Sequence, residues 1–433
     1  MTRSTHLHPN VHSRGRRRRT TALVALVLLV AACSDDTATP GSSDAPTTVA
    51  ATDPGSTDAP TTSGVDTTAT PTTDATLSTD TIAAELIPAE WEVTADAPIP
   101  ADRCAANIEA GPIVYLSSFD FAATASIVEL LVAESKGYFD ELCLDVQLRP
   151  SFSVENYPYI AANDAQFSSG GSFSELADFA DTNDAGYVAL AVDGRTGIDA
   201  LITKDGLVPE LADVRGQTIG VKGAITPSVK AMLATLGLVA EVDYGTVLLD
   251  GFDPKIHIES PGIVGFPGYK SNEPLQLEAA GIPFTLYDPS DYDIPGSFGV
   301  IYTNITFLTE HPAAAQDFMR AAMRGLADAL ADPAGAAAIA VEALNANGNV
   351  MFLSPEGEIA RWQTEARMIL DDPHPAALGL PVKELLLDEV TTYASIGLFD
   401  GVAPEIDSML DESVLAGIYT ADGTVIWPAS SAT

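Results

Sequence analysis

The sequence predicts an α/β protein built as two lobes. Short apolar runs alternate with amphipathic segments from residue 112 onward, a pattern typical of parallel sheets covered by helices on both faces. Loops of small residues repeatedly follow the apolar runs, as expected where strands pass into helices. About 340 residues follow a low-complexity N-terminal region, and a chain of that length usually divides into more than one core.

The first series of elements lies between residues 113 and 203. Its second element is a helix, because Ile127, Leu130 and Leu131 recur at helical spacing and Gly137 follows as a stop signal. The predicted elements are strand 113–116, helix 123–136, strand 144–148, helices 157–163 and 172–179, and strands 187–192 and 199–203.

A second series begins near residue 218 with a strand, a glycine-containing turn and a helix. Beyond residue 311 the pattern is mostly helical and rich in alanine. The predicted elements are strand 218–221, helix 227–236, and strands 247–249, 262–266, 284–287 and 300–304.

The N-terminus has the pattern of an export signal. Arginines cluster at 14–19, an apolar run covers 21–32, and Val-Ala-Ala-Cys at 30–33 resembles a bacterial lipobox. We therefore predict a signal peptide over 1–32 and lipidation of Cys33, which would anchor the protein to the outer face of the cytoplasmic membrane. An ordinary secretory signal followed by an unrelated cysteine is the alternative. Residues 33–84, rich in Thr, Ser, Pro and Asp, are predicted to form a disordered tether.

The chain is strongly acidic. It contains 60 acidic and 21 basic residues, and removal of the signal peptide takes away six arginines and no acids. Such a surface repels phosphates and anionic head groups, so nucleic acid is not expected as a partner, and membrane contact is expected only through the lipid.

The two remaining cysteines, Cys104 and Cys143, form an even pair in an exported and oxidising setting. Each precedes a predicted strand, so parallel neighbouring strands would place both at the same sheet edge. This arrangement predicts a disulfide, and two unpaired thiols remain the alternative.

The motifs of common enzymes are absent from the sequence. Beyond the signal region only His257, His311 and His374 occur, and no Cys or His pair has zinc-ligand spacing. Residues 170–174 lack a nucleophile elbow, and residues 220–228 lack the lysine of a phosphate loop in its required position. We expect a protein that is not an enzyme and has no cofactor or metal.

Three strand-loop-helix junctions, at 117–124, 168–174 and 223–228, could instead bind a ligand. Helix N-termini carry free N–H groups, and open α/β sheets bind ligands at such junctions. The candidate contacts at these junctions are Phe119, Asp120, Gly171, Ser172 and Thr226.

A fourth junction, at 266–274, is more distinctive. Its strand ends in Gly268, and Tyr269, Asn272 and Glu273 follow at the start of a helix. Asn272 could equally be a helix cap and Glu273 could complement the helix dipole. We predict ligand contact for these three residues and for Tyr292, which follows the next strand.

These segments resemble solute-binding lipoproteins of ABC importers. Residues 134–139 (Glu-Ser-Lys-Gly-Tyr-Phe) are similar to the end of their first helix, and residues 211–221 to the entry into their second lobe. The 268–274 junction with Gly-Ile-Pro at 281–283 is similar to the branch of the nitrate, sulfonate and taurine superfamily that binds thiamine pyrimidine precursors or riboflavin. Pyrimidine-synthesis enzymes on this fold carry a cysteine-rich motif that this sequence lacks.

The resemblance implies a type II periplasmic-binding-protein fold with a hinge and an interlobe cleft. Lobe 1 would combine 105–202 with 304–425, and lobe 2 would be 203–303. The implied protein is a monomer that closes on a small solute and delivers it to an ABC permease.

Aromatic faces would stack a flat ring, and the Glu273 carboxylate would disfavour nitrate or sulfonate while accepting hydrogen bonds from a heterocycle. A nitrate, sulfonate or taurine carrier, an enzyme of pyrimidine-precursor synthesis and a signalling receptor module are the alternatives.

Overall fold

The computed structural model describes residues 83–183, 185–347 and 353–430. The predicted signal peptide, Cys33 and nearly all of the tether lie outside the described residues. Ala83, which the prediction placed in the tether, is buried, and its N–H donates to Asp411 Oδ2 at 2.9 Å. Within the described ranges, no helix combines the length and apolar character that crossing a membrane requires.

Ten strands form two five-stranded sheets in the described part of the chain. The strands are β1 (Pro112–Leu116), β2 (Asp145–Arg149), β3 (Phe167–Gly170), β4 (Tyr187–Gly194), β5 (Asp199–Lys204), β6 (Thr218–Val221), β7 (Gly245–Leu248), β8 (Gly265–Tyr269), β9 (Phe284–Tyr287) and β10 (Phe298–Asn304).

Helices cover both sheets. They are α1 (Ala101–Glu109), α2 (Val128–Ser135), α3 (Tyr138–Glu141), α4 (Ser153–Ala161), α5 (Phe173–Asn183), α6 (Pro227–Thr235), α7 (Pro254–Glu259), α8 (Glu273–Ala279), α9 (Ile305–Glu310), α10 (Pro312–Ala331), α11 (Pro333–Asn347), α12 (Pro355–Leu370), α13 (Lys383–Ser395) and α14 (Ser413–Ala416).

The two sheets have the same strand order. Sheet 1 runs β2-β1-β3-β10-β4 and sheet 2 runs β7-β6-β8-β5-β9. In each sheet the first three strands are parallel, and the fourth, which arrives from the other lobe, is antiparallel to its neighbours. This repetition confirms the two-lobed α/β fold that the sequence predicts.

The chain crosses between the two lobes at earlier residues than predicted. We expected the crossings near Thr203 and Asn304, with lobe 2 over 203–303. However, β5 pairs with β8 and β9 in sheet 2, and β10 pairs with β3 and β4 in sheet 1. The crossings are therefore 195–198 and 288–297. Periodicity identified both strands but could not tell which sheet supplies their hydrogen-bonding partners.

The helix predicted over 123–136 begins later, at Val128. Ser126 has φ of 64°, a left-handed conformation that interrupts a right-handed helix. Residues 123–126 therefore form a loop at the carboxyl edge of sheet 1, and this loop lines the cleft described below.

The predicted disulfide is confirmed. Cys104 on α1 and Cys143 after α3 are bonded, with their Cα atoms 5.4 Å apart. Strands β1 and β2 are parallel neighbours, with Pro112 opposite Asp145, as the prediction required.

Candidate functional site

A cleft of about 620 Å³ lies between the two sheets, a volume typical of small-molecule sites. Lobe 1 contributes the loops after β1 and β3, the start of β10, and α12. Lobe 2 contributes the start of β5 and the loops after β6, β7 and β8. The cleft therefore lies beside both crossings, where movement of one lobe would change its width.

Aromatic side chains from both lobes line the cleft. They are Phe119, Phe152, Phe252, Tyr269 and Phe298. The rings of Phe119 and Phe152 meet edge to face with centroids 6.2 Å apart. Phe252 and Tyr269, on lobe 2, are 62% and 45% exposed, so a ligand in the cleft can reach their rings. These faces can stack against a flat apolar or heteroaromatic ring.

The 123–126 loop presents three backbone N–H groups, and buried carboxylates already accept from all of them. The three hydrogen bonds run from Ala123 N to Glu358 Oε2 (2.9 Å), from Ala125 N to Glu365 Oε2 (2.6 Å), and from Ser126 N to Asp193 Oδ2 (2.8 Å). The protein's own negative charge thus occupies the place where a bound anion would accept these bonds.

The backbone N–H groups at the start of α5 likewise donate to acceptors within the protein. Internal oxygens accept from its first amides: Gly171 N donates to Glu175 Oε2, Phe173 N to Ser297 Oγ, and Ser174 N to Glu389 Oε1, at 2.9–3.1 Å. The amides on either side of Ser172 are therefore engaged within the protein, two of them by groups distant in sequence, and a ligand contact at Ser172 itself stays a prediction.

Glu273 lines the cleft but is engaged within lobe 2. It is 4% exposed, Oε1 accepts from Lys222 Nζ at 2.6 Å, and Oε2 accepts from Tyr269 N at 2.8 Å. It thereby fixes the turn that carries Tyr269, and Lys222 balances its charge. Direct contact between the Glu273 carboxylate and a ligand stays a prediction.

Helix α12 joins the lobes across the cleft. Glu365 Oε1 accepts from Ser271 Oγ at 2.6 Å, while its Oε2 accepts from Thr124 Oγ1 at 2.6 Å as well as from the 123–126 loop. Arg361 Nη2 donates to Asn272 Oδ1 at 3.0 Å. Each of these lobe 2 partners lies in the turn between β8 and α8, so α12 ties that turn to lobe 1.

Two polar atoms among the lining residues are buried without a hydrogen-bond partner. They are Asp199 Oδ1, at the start of β5, and Thr226 Oγ1, just before α6. The other Asp199 oxygen, Oδ2, accepts from Ser228 Oγ at 2.9 Å. Burial raises the pKa of Asp199 to about 6, so the carboxyl is mostly ionised at neutral pH.

Behind the 123–126 loop, Glu129 and Asp193 form a buried carboxyl pair. They are 0% and 2% exposed, and both Glu129 oxygens and Asp193 Oδ1 have no hydrogen-bond partner. Burial raises the pKa of Asp193 to about 7, and burial followed by the Asp193 charge raises the pKa of Glu129 well above its ordinary value. The charge of Glu365 adds to the shift of Asp193, and Arg195 opposes it.

This pair predicts that stability falls as pH rises. A carboxyl whose folded pKa exceeds its unfolded pKa holds a proton that the unfolded chain releases, so the loss covers roughly pH 4 to 7. Glu129→Gln should flatten this slope and raise Tm at pH 8 by roughly 5 °C. Thermal melts from pH 5 to 8 test this, with Glu155→Gln at an exposed position of α4 as control. A wild-type Tm constant over that range would refute it.

Six of the nine predicted contact residues line the cleft and three do not. Those that line it are Phe119, Gly171, Thr226, Tyr269, Asn272 and Glu273. Asp120 accepts instead from Phe121 N at 2.8 Å, and Ser172 Oγ accepts from Glu175 N at 3.2 Å. Tyr292 lies in the 3-10 turn that follows β9 and packs against the apolar core that includes α6.

Sequence reasoning missed Phe152, Phe252, Asp199, Arg361 and Glu365 among the lining residues. Phe152 and Phe252 follow strands, as Phe119 does, and a search of every strand end for aromatic residues would have found them. Arg361 and Glu365 lie on a helix far along the chain, and no local pattern indicates where it packs.

Two lobes of identical strand order, joined by two crossings beside a cleft, define the two-lobed periplasmic-binding-protein-like fold. Residues 124–336 match the family described as NMT1/THI5 like. These findings, with the relatives below, confirm the predicted resemblance to solute-binding proteins of the nitrate, sulfonate and taurine superfamily. The match begins in the loop after β1, includes all of lobe 2 and ends in α11.

One curated relative is the riboflavin-binding protein RibY of Chloroflexus aurantiacus, 34% identical over 123 residues. That alignment covers 28% of this chain and 34% of RibY, so the chain spans about a third of the relative it matches.

Two solved structures share the fold. The aliphatic sulphonate binding protein SsuA of Escherichia coli has TM-score 0.51 at 11% identity, covering 65% of this chain and 85% of its own. A putative sulfonate-binding SsuA of Methylobacillus flagellatus has TM-score 0.51 at 15% identity, covering 70% and 92%.

Proposed function

We propose that this protein is the extracytoplasmic solute-binding component of an ABC importer, which captures a small, flat, uncharged or cationic heterocycle and delivers it to a permease. One observation carries the proposal: an interlobe cleft walled by aromatic rings, in which carboxylates already occupy the helix ends that would otherwise bind an anion. Riboflavin-like rings and thiamine pyrimidine precursors are the flat heterocycles that we propose as ligands.

The electrostatics of the cleft support a heterocycle over nitrate or a sulfonate. Glu175, Asp199, Asp253, Glu273 and Glu365 all line it. Its cations Lys222, Arg361 and Lys255 are paired with Glu273, Glu358 and Asp253. An anion entering this space would lose its hydration while facing like charge. A flat ring instead gains stacking and the removal of apolar surface from water. The partial match to RibY is consistent with this preference.

The proposal includes the cellular location of the protein. Disulfides such as Cys104–Cys143 persist in oxidising compartments, and the N-terminal sequence pattern favours lipid attachment at Cys33. A lipid-anchored monomer on the outer face of the cytoplasmic membrane would present its cleft to solutes and its lobes to a permease.

Ligand screening by thermal shift tests the proposal directly. Protein unfolded and refolded to remove any carried ligand should gain stability with riboflavin or an aminopyrimidine and show no change with taurine or nitrate. Stabilisation by taurine or nitrate alone would overturn the heterocycle assignment and favour a sulfonate-type carrier.

Tyr269→Ala should weaken binding of the stabilising heterocycle by about tenfold, because it removes one stacking face from lobe 2. Isothermal titration calorimetry gives the dissociation constants. Tyr159→Ala is the matched control, since Tyr159 is 54% exposed and lies outside the cleft lining. Equal binding by the two variants would show that Tyr269 does not touch the ligand.

A further inference from the structure

The unpartnered atoms Asp199 Oδ1 and Thr226 Oγ1 have a common setting. Asp199 is the first residue of β5, directly after the first crossing, and Thr226 precedes α6. Ser228 on α6 is 2% exposed and holds Asp199 Oδ2 at 2.9 Å, which connects the two positions. Both residues line the cleft.

Neither atom has an evident structural role. A threonine at a helix N-cap ordinarily accepts an N–H bond from the first turn, but the Thr226 side chain makes no such bond. A carboxylate oxygen removed from water without a donor costs free energy that a second hydrogen bond would recover. Groups of this kind, kept at a cleft wall, are suited to a ligand that completes their hydrogen bonds.

The other acidic side chains of the cleft are already engaged. Glu175 accepts from Gly171 N, Glu273 accepts from Lys222 and Tyr269 N, and Glu365 accepts from Ser271, Thr124 and Ala125 N. Asp199 therefore keeps a buried oxygen without a donor. The Thr226 hydroxyl, two residues before the Ser228 that binds Asp199, is free to donate.

We propose that Asp199 Oδ1 and Thr226 Oγ1 form the hydrogen-bonding subsite that selects the ligand. Asp199 accepts an N–H of the ligand ring, and Thr226 donates to the carbonyl oxygen or ring nitrogen next to that N–H. The subsite thus recognises a ring edge with adjacent donor and acceptor, as in a cyclic imide or an aminopyrimidine. This inference rests on the proposed function, because it assigns the polar contacts of the same cleft.

The test combines a protein change with a ligand change. Riboflavin and a 4-aminopyrimidine are each titrated beside an analogue in which methyl groups replace every hydrogen on the donor nitrogen. Blocking the donor should weaken binding to the wild type by about tenfold or more. In Asp199→Ala that methylation penalty should disappear, because the acceptor is gone. Thr226→Val, which keeps the shape of the side chain, should weaken binding of the unmethylated ligand by a similar factor.

Asp253→Ala is the control, since Asp253 lies at the cleft rim with a side chain 42% exposed and should retain the full methylation penalty. Circular dichroism and Tm establish that each variant is folded. A methylation penalty that persists in Asp199→Ala, or unchanged binding by both variants, would overturn the subsite while leaving the heterocycle proposal intact. Failure of the wild type to bind any heterocycle would overturn both.

Discussion

Asp317→Ala is expected to lower the free energy of unfolding by about 3–5 kcal/mol, the largest effect of any single substitution considered. Asp317 lies on α10 with its side chain fully buried. Its two oxygens accept from Arg103 Nε (2.7 Å) and Nη2 (2.8 Å), from Asn107 Nδ2 (2.8 Å) and from Arg320 Nε (3.0 Å). One carboxylate thus accepts hydrogen bonds from the guanidinium groups of two arginines that are each 1% exposed.

The cost arises from what remains after the substitution. Arg103 also donates to Trp91 O and Gln316 Oε1, and Arg320 donates to Ile426 O, so packing holds both cations in place. Without Asp317 they would be buried charges with no counter-ion, and the segments before α1 and after α14 would lose their common anchor.

Urea denaturation at pH 7 measures this loss. Asp328→Ala on the same helix is the control, because Asp328 accepts from Lys136 and Tyr138 at a partly exposed position and should cost only about 1–2 kcal/mol. If Asp317→Ala does not fold, Asp317→Asn keeps the shape and one acceptor and should be intermediate. A loss from Asp317→Ala no greater than that from Asp328→Ala would contradict the prediction.

Removal of the Cys104–Cys143 disulfide is expected to cost about 4 kcal/mol. The bond closes a loop with a sequence separation of 39, and loop-closure entropy of the unfolded chain gives that magnitude. The native geometry should persist without it, because Asn107 Nδ2 still donates to Leu142 O at 2.8 Å beside the bond.

Denaturation with and without reductant tests this, using a variant with alanine at both cysteine positions. The oxidised wild type should unfold at higher urea than the reduced wild type, and the reduced protein should match the double variant. Reductant should not affect the double variant. Coincident curves for oxidised and reduced wild type would show that the crosslink adds no stability.

The parts of the site that the sequence predicted are local ones. Tyr269, Asn272 and Glu273 were found because a strand, a glycine and a helix start follow one another directly in the chain. The same local reasoning did not reveal the surroundings of Ser172, since Ser297 and Glu389, far along the chain, accept from the neighbouring amides. It also failed for Tyr292, because a strand end does not reveal which side of the sheet the next turn packs against.

By itself, the sequence determined the α/β class, nine of the ten described strands, the disulfide and the aromatic turn at Tyr269, because periodicity, glycine position and cysteine count act over short stretches. It did not identify β3 as a strand. Only the tertiary structure decided which sheet takes β5 and β10, and that Glu358 and Glu365 of α12 accept from the 123–126 loop. Those choices depend on hydrogen bonds between residues far apart in the chain. The electrostatic character of the cleft, and hence its preference among ligands, is consequently a property of the folded chain.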